Sequence, residues 1–458
     1  MYRNDTIAAI STPPGKGGVA LIRISGPEAS DIASRCFFPK NGKDIAVLPR
    51  MAVYGDILCR DGITDSGIAI FFKAPASFTG EDTVELTCHG GALITRRVLE
   101  SVLSAGARLA EPGEFSHRAL VNGKLSLCGA EALSDLLSAS TNAQLKVAVG
   151  NTRGRLDKAL GSIYSALADA LASLYAKIDY PDEDLADMDS SQLLAVAEQA
   201  NAQISALIKG YENTACVREG VPAAICGLPN TGKSSLYNAL AGEELAIVTN
   251  EAGTTRDVLS SELSVGNVLL RLSDTAGVRE AEAEAEAIGV NRALSAMENA
   301  ALVLLVFDGS KPLTEDDISL AHRASKVQGK VIPVLNKSDL EKTADIREVE
   351  ALFGKVYPIS AKTGAGIEEL KKEVERLFLQ GEVDLQNDVI LSSARQYSSA
   401  TKAKTYLESA IKALSEGFPP DCAATDIEAA VGAIGEMDGR AVDEEVVGRI
   451  FANFCVGK

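Results

Sequence analysis

Gly227-Leu-Pro-Asn-Thr-Gly232-Lys233-Ser234 has the spacing of a phosphate-binding loop. Its glycines let successive backbone N–H groups point at an anion, and a following helix adds the positive end of its dipole. In such a loop Lys233 bridges the β- and γ-phosphates of a nucleotide and the Ser234 hydroxyl ligates Mg²⁺. Asp274-Thr-Ala-Gly277 comes next. Asp274, at a strand end, is placed to hold Mg²⁺ through water, and the Gly277 N–H to sense the γ-phosphate. Asn336-Lys-Ser-Asp339 then selects the base, because a carboxylate at 339 accepts from both N1–H and the N2 amine of guanine. Adenine lacks both donors and would leave that carboxylate unpaired. Asn336 and the Ala361 N–H of Ser360-Ala-Lys362 complete the base pocket, and together the motifs predict GTP binding.

How GTP would be hydrolysed is less direct. Val278 stands where Ras-like switches carry a water-orienting Gln, so another group must position water. Glu280, Glu282, Glu284 and Glu286 are candidates, although each alone also reads as a solvated acidic residue. Arg256, in Gly253-Thr-Thr-Arg-Asp257, either neutralises phosphate charge in cis or is a surface arginine of the switch loop. Asn230, with backbone carbonyls of the Thr249–Thr254 loop, could cage a monovalent cation that supplies an arginine finger's charge. The expected nucleotide contacts are thus Asn230, Thr231, Gly232, Lys233, Ser234 and Ser235; Thr249, Asn250, Glu251, Ala252, Gly253, Thr254 and Thr255; Asp274, Thr275, Ala276 and Gly277. To these are added Asn336, Lys337, Ser338 and Asp339, then Ser360, Ala361 and Lys362.

These residues need strand ends to hold them. Residues 220–379 alternate apolar strands (Ala223–Cys226, Val258–Val265, Val268–Ser273, Ala301–Phe307, Val331–Asn336, Val356–Ile359) with helices, which predicts a doubly wound, mainly parallel sheet. Residues 1 to about 120 mix β-branched runs (Val19–Ile24, Gly67–Phe72, Thr83–Cys88) with a helical patch at Ala92–Leu103, an α/β or α+β domain. From Cys128, Ala130–Val147, Leu156–Ile178 and Ser191–Tyr211 show helical apolar spacing, and helices return in Ser392–Leu414, Ala423–Ile434 and Asp443–Phe451. The economical arrangement is one discontinuous helical domain with the nucleotide domain inserted into it.

The 458 residues suit two to four domains, and 46% apolar content excludes a disordered chain. With 45 basic against 63 acidic residues, contact with a polyanion needs a local basic patch or a partner. Eight scattered cysteines without a Cys-x-x-Cys pair argue against zinc or a disulfide framework and for a reducing cytoplasm. Met1–Thr6 lacks a signal peptide's layout, and the longest apolar run, Ala300–Phe307, is too short to span a bilayer.

Asn4–Ile10, Thr12–Val19, Arg23–Gly26, Ser77–Asp82, His89–Gly91, Pro112–Phe115, Ile178–Glu183 and Phe454–Lys458 resemble, in order and spacing, the tRNA modification GTPases of the MnmE (TrmE) family. Tyr180 stands where phenylalanine is expected. The resemblance implies a potassium-stimulated GTPase that works with a flavin-dependent partner, MnmG (GidA), in a heterotetramer. It adds an aminomethyl or carboxymethylaminomethyl group to C5 of the wobble uridine of tRNA. Implied domains are 1–120 (folate-binding, homodimerising), 121–219 and 380–458 (the helical halves) and 220–379 (the GTPase domain). It further implies 5-formyltetrahydrofolate or a related folate at Arg23, Glu85, Lys124 and Lys458, Mg²⁺ on Ser234 and Thr255, and K⁺ on Asn230, Thr249, Glu251 and Thr254. The family's catalytic glutamate precedes an Ile-Gly pair by two residues, which selects Glu286. Cys455 reads either as a small buried apolar residue or as a thiol nucleophile or redox group beside folate and base. The alternative function is a GTPase binding switch in ribosome assembly, which the single GTPase domain and the acidic balance oppose.

Overall fold

The computed structural model describes residues 5–60, 62–179, 189–242, 261–272, 296–379, 388–440, 444–452, 454 and 457. They form two units, one of residues 1–137, 151–207 and 393–458 and the other of 138–150 and 208–392.

Strand alternation decides which side of the first unit's sheet is buried. Its strands are β1 (Ile7–Ile10), β2 (Val19–Ser25), β3 (Phe37–Pro39), β4 (Val53–Leu58), β5 (Thr64–Phe72), β6 (Thr83–His89) and β7 (Arg108–Leu109), in the order β3-β4-β5-β6-β2-β1-β7. All pairs are antiparallel except β1 with β7. Ala20, Ile22 and Ile24 of β2 and Val84, Leu86 and Cys88 of β6 point into one core with Ile32 of the Ala29–Cys36 helix and Val98 and Val102 of the Ala92–Ser104 helix. Because side chains alternate, Leu21, Arg23, Glu85 and Thr87 lie on the opposite, half-buried face.

The helical part of this unit joins two distant stretches of chain. Glu131, on the Leu127–Ser138 helix, accepts from Arg395 (Nε 3.0 Å, Nη2 2.8 Å), Gln396 (2.6 Å) and Ser393 (3.1 Å). The helices Ala394–Ser415 and Pro420–Asp438 pack together, and the latter also packs on Arg155–Asp179. Within it, Arg155–Ala176 is the one stretch among the described residues long and apolar enough to cross a membrane. Its Leu156, Leu160, Ile163, Leu167 and Leu171 are buried, as a core helix requires.

One helix differs from its sequence expectation. Ala130–Val147 is not continuous: helices Leu127–Ser138 and Asn142–Thr152 are separated by three residues. Thr141 and Gln144 make the break favourable. Gln144 N donates to Thr141 Oγ1 (3.2 Å) while Gln144 Oε1 accepts from the N–H groups of Thr141 (3.1 Å) and Ser140 (2.8 Å), so a new helix starts in mid-pattern.

The second unit's sheet contains β8 (Val221–Cys226), β9 (Ser261–Val265), β10 (Val268–Leu272), β11 (Leu302–Asp308), β12 (Lys330–Asn336) and β13 (Tyr357–Pro358), in the order β13-β12-β11-β8-β10-β9. Only the β9–β10 pair is antiparallel. Helices Lys233–Ala241 and Ile367–Phe378 contribute to one core of this sheet and Glu315–Ala324 and Arg347–Phe353 to the other, so β11 is apolar from Leu302 to Phe307. The chain is a multidomain α/β and α protein.

Candidate functional site

The phosphate loop runs from the end of β8 to the helix that starts at Lys233. Two glycines are required by contact. A Cβ on Gly227 (φ 155°) would overlap the Val306 carbonyl, and one on Gly232 (φ 94°) would overlap the Asn336 side-chain amide. Asn230 also takes a positive φ (62°), which asparagine tolerates better than most residues. Lys233 Nζ donates to the carbonyls of Gly227 (3.0 Å) and Leu228 (2.8 Å), which holds the ammonium over the loop. Burial pushes it below the ordinary lysine value, opposed by the Cys226 thiol, and an arriving phosphate would push it back up. Cys226 itself is pushed up to about 12 by burial and is an inert core thiol. Ser234 and Ser235 are exposed at the helix start.

Asn336 ties the phosphate side to the base side. Its Nδ2 donates to Thr231 O (3.0 Å) and its Oδ1 accepts from Ala361 N (3.0 Å), with the side chain almost fully buried. Asp339 is exposed, and its Oδ1 accepts from Ser360 Oγ at 2.7 Å. That hydrogen bond holds the carboxyl below the usual aspartate range, so it stays a charged acceptor. Ser338 N donates to Ile359 O (2.9 Å), and Lys362 stands exposed beyond Ala361. Lys337, at φ 67°, sends Nζ to Asn230 O (2.9 Å) and to Asp308 Oδ2 (2.6 Å).

Asp308 was missed in the sequence. Burial opposes its charge, but bonds from Lys337 and Ser310 outweigh this and keep it below the ordinary value. Its place at the C-terminal end of a parallel strand, before Gly309-Ser310, was the available signal. The described part of the nucleotide site therefore unites Asn230–Ser235, Asn336–Asp339 and Ser360–Lys362. Thr249–Thr255, Arg256, Asp274–Gly277, Val278 and the switch glutamates including Glu286 lie outside the described residues.

A second cluster forms on the open face of the first unit's sheet. Arg23 and Glu85 are register partners on β2 and β6, and Glu85 Oε1 accepts from Arg23 Nε (3.1 Å) and Nη2 (2.8 Å). Glu85 Oε2 has no partner among the described residues. The Arg23 guanidinium lies 5.2 Å from the Phe78 ring centre and 5.8 Å from that of Phe115. Lys124 is exposed, its stem against Gly80 of the same loop as Phe78. Gly457 O accepts from Ser11 Oγ (3.0 Å), beside β1; Cys455 and Lys458 lie outside the described residues.

Beneath this face is a hub that sequence reasoning did not find. Arg118 is almost completely buried and donates to Asp5 Oδ1 (2.6 Å), Asp5 O (2.7 Å), Glu114 Oε1 (3.1 Å) and Glu81 (3.2 Å). Arg108 shares Asp5 (2.8 Å) and Glu114 (2.6 Å). Hydrogen bonds from Arg108 hold Asp5 below its usual range. Glu114 is likewise low, because bonds from Arg108, Arg118 and Glu111 N outweigh its burial. Glu81 also accepts from Ser25 Oγ (2.7 Å), so the hub fixes the Ser77–Asp82 loop carrying Phe78, and Glu114 places neighbouring Phe115.

Comparison with known proteins agrees along the whole chain. Residues 127–455 match the family model "MnmE helical domain" and residues 6–124 match "GTP-binding protein TrmE N-terminus". The tRNA modification GTPase MnmE of Acetivibrio thermocellus is 37% identical over 465 aligned residues, covering 100% of both chains. That of Lactobacillus acidophilus is 39% identical, covering 99% of this chain and 98% of the relative. A crystal structure of Era from Aquifex aeolicus is 26% identical over 40% of this chain and 65% of that one, with a TM-score of 0.26. A family model over residues 127–455 and full-length relatives near 37% identity make this chain a member of the MnmE family of tRNA modification GTPases.

Proposed function

We propose that the chain hydrolyses GTP to GDP and phosphate in a potassium-stimulated, dimerisation-coupled cycle that drives modification of C5 of the tRNA wobble uridine. The observation carrying this reading is Asn336, whose buried amide couples the phosphate loop to the base-recognising segment through Thr231 and Ala361. Bound GTP would therefore be read at both ends by one rigid set of contacts. Lys233 would neutralise the β- and γ-phosphates, and Ser234 with Thr255 would take Mg²⁺, which stabilises the charge developing on the leaving phosphate. Asn230, Thr249, Glu251 and Thr254 would hold K⁺, Arg256 would add charge, and Glu286 would orient water. Asn230 suits its part, because Lys337 already binds its carbonyl and fixes the loop there.

The Arg23–Glu85 pair fits a folate. Glu85 offers a carboxylate to the amidine-like N–H face of a pterin, the exposed Phe78 ring beside Arg23 offers a surface to a flat ligand, and Lys124 and Lys458 would take the glutamate tail. Cys455 would act beside it. A homodimer, joined by the flavoprotein MnmG in the cytoplasm, completes the machine; domains divide as 1–120, 121–219, 220–379 and 380–458. Nucleoside analysis of bulk tRNA from a deletion strain should show loss of the modified wobble uridine, and intact modification would overturn the reading. Exchanging sodium for potassium should raise GTP turnover several-fold; equal rates would remove the cation cage alone.

A further inference from the structure

Charge is unevenly distributed in this acidic chain. Residues 1–124 carry 14 Lys and Arg against 13 Asp and Glu, while the whole chain carries 45 against 63. Within that neutral part, arginines gather around the second half of the Ala92–Ser104 helix. Arg60, Arg97, Glu100, Leu103 and Ser104 line an open groove of about 550 Å³. Arg60 is anchored there, its backbone N–H on Ser101 Oγ (2.9 Å) and its Nη1 3.5 Å from Ser104 Oγ. Arg35 caps the helix end by donating to Ala105 O at 2.6 Å. Arg96 and Arg97 both donate to the Glu100 carboxylate (3.0 and 3.1 Å). Four arginines thus gather here, on the opposite side of the sheet from Arg23 and Glu85.

Planar guanidiniums fixed by backbone and hydroxyl contacts suit phosphate oxygens, which they bind bidentately. The chain as a whole is acidic, so a polyanion needs a local basic site such as this groove. We infer that the groove lined by Arg60 and Arg97, with Arg35 and Arg96 at the same helix, is a docking site for the sugar–phosphate backbone of tRNA, an assignment that rests on the tRNA-modifying reading above. Contacts of this kind hold register without reading sequence, so the groove orients the tRNA body and leaves base recognition to other parts.

Filter binding of total tRNA to the full chain, from about 50 to about 200 mM salt, tests it. The double variant Arg60→Glu/Arg97→Glu should bind at least tenfold more weakly and flatten the log–log salt slope by about two, roughly one per lost phosphate contact. Arg60→Lys/Arg97→Lys, which keeps the charge, should retain most of the affinity, and GTP turnover should be unchanged in both. Arg347→Glu, at an exposed arginine of the other unit, is the control. Wild-type affinity and slope in the charge-reversed variant would overturn the groove while leaving the tRNA reading intact. Failure of the wild-type chain to bind tRNA would strike that reading itself.

Discussion

In the nucleotide unit, the side chains that would meet the ligand sit on turns just after parallel strands β8 and β12. In the first unit, Arg23 and Glu85 sit in mid-strand, on the open face of an antiparallel pair. The strand-end site is built largely from backbone groups and short loops, so its residues fall in contiguous runs such as 227–234 and 336–339. The strand-face site exists only through register: a slip of one residue would turn Arg23 or Glu85 into the core. A strand-end site can therefore be altered without disturbing its sheet. The strand-face site depends on the network beneath it, and its function and stability should fail together.

The largest expected effect follows from that dependence. Arg118→Met removes the central cation from among Asp5, Glu81 and Glu114, with Arg108 remaining on Asp5 and Glu114, and costs about 3 kcal/mol, the low end for a broken buried ion pair. Chemical denaturation followed by hydrogen exchange in β1 and β2 should show the loss, with GTP affinity unchanged. The pH dependence has a defined sign. Asp5 and Glu114 are depressed, so their stabilisation is complete above their unfolded values and is lost as pH falls through the folded ones. The variant should lose only the Arg118 share of this acid-side slope, because Arg108 still holds Asp5 and Glu114 low. A cost below about 1 kcal/mol would mean that solvent screens the hub and that the contrast between the two sites is wrong.

Next in size is Asp339→Asn, which replaces one acceptor oxygen with a donor facing guanine's donors. GTP affinity should fall about a hundredfold, close to the worth of two charge-assisted hydrogen bonds, and discrimination against ATP should shrink. Unfolding should not change, because Asp339 is exposed. A matched loss of stability would break the distinction from the other side.

The same contrast explains what could be read from the sequence. The nucleotide motifs, the parallel sheet around them and most helices were legible because each depends on neighbours a few residues away. Asp308 was not, since its meaning comes from Lys337, 29 positions later. Arg118 was opaque for the same reason: its acids come from positions 5, 81 and 114. Arg23 and Glu85 were named through family resemblance, and nothing local announces that they pair across 62 residues. The break at Thr141 was missed although its signal is local, because Ala/Leu periodicity on both sides masked the Thr-x-x-Gln cap.

The smallest expected effect is the most specific to the strand-end site. Ser360 Oγ donates to Asp339 and also accepts from Thr363 N at 3.2 Å, so Ser360→Ala should cost about 1 kcal/mol of local stability. Its more telling consequence is in titration. The Ser360 bond is the main cause of the low Asp339 pKa, and guanine requires the ionised form. In the wild type, base recognition survives as pH falls until the depressed value is reached. Without Ser360 the carboxyl returns toward the ordinary aspartate range, and GTP affinity should start to decline at a higher pH, while affinity at neutral pH changes little. Fluorescent-GTP titrations through the acid range would show the shift, and Asp339→Asn should lack this limb altogether. Coincident midpoints for wild type and Ser360→Ala would mean that Ser360 only shapes its loop and that guanine itself sets the charge of Asp339.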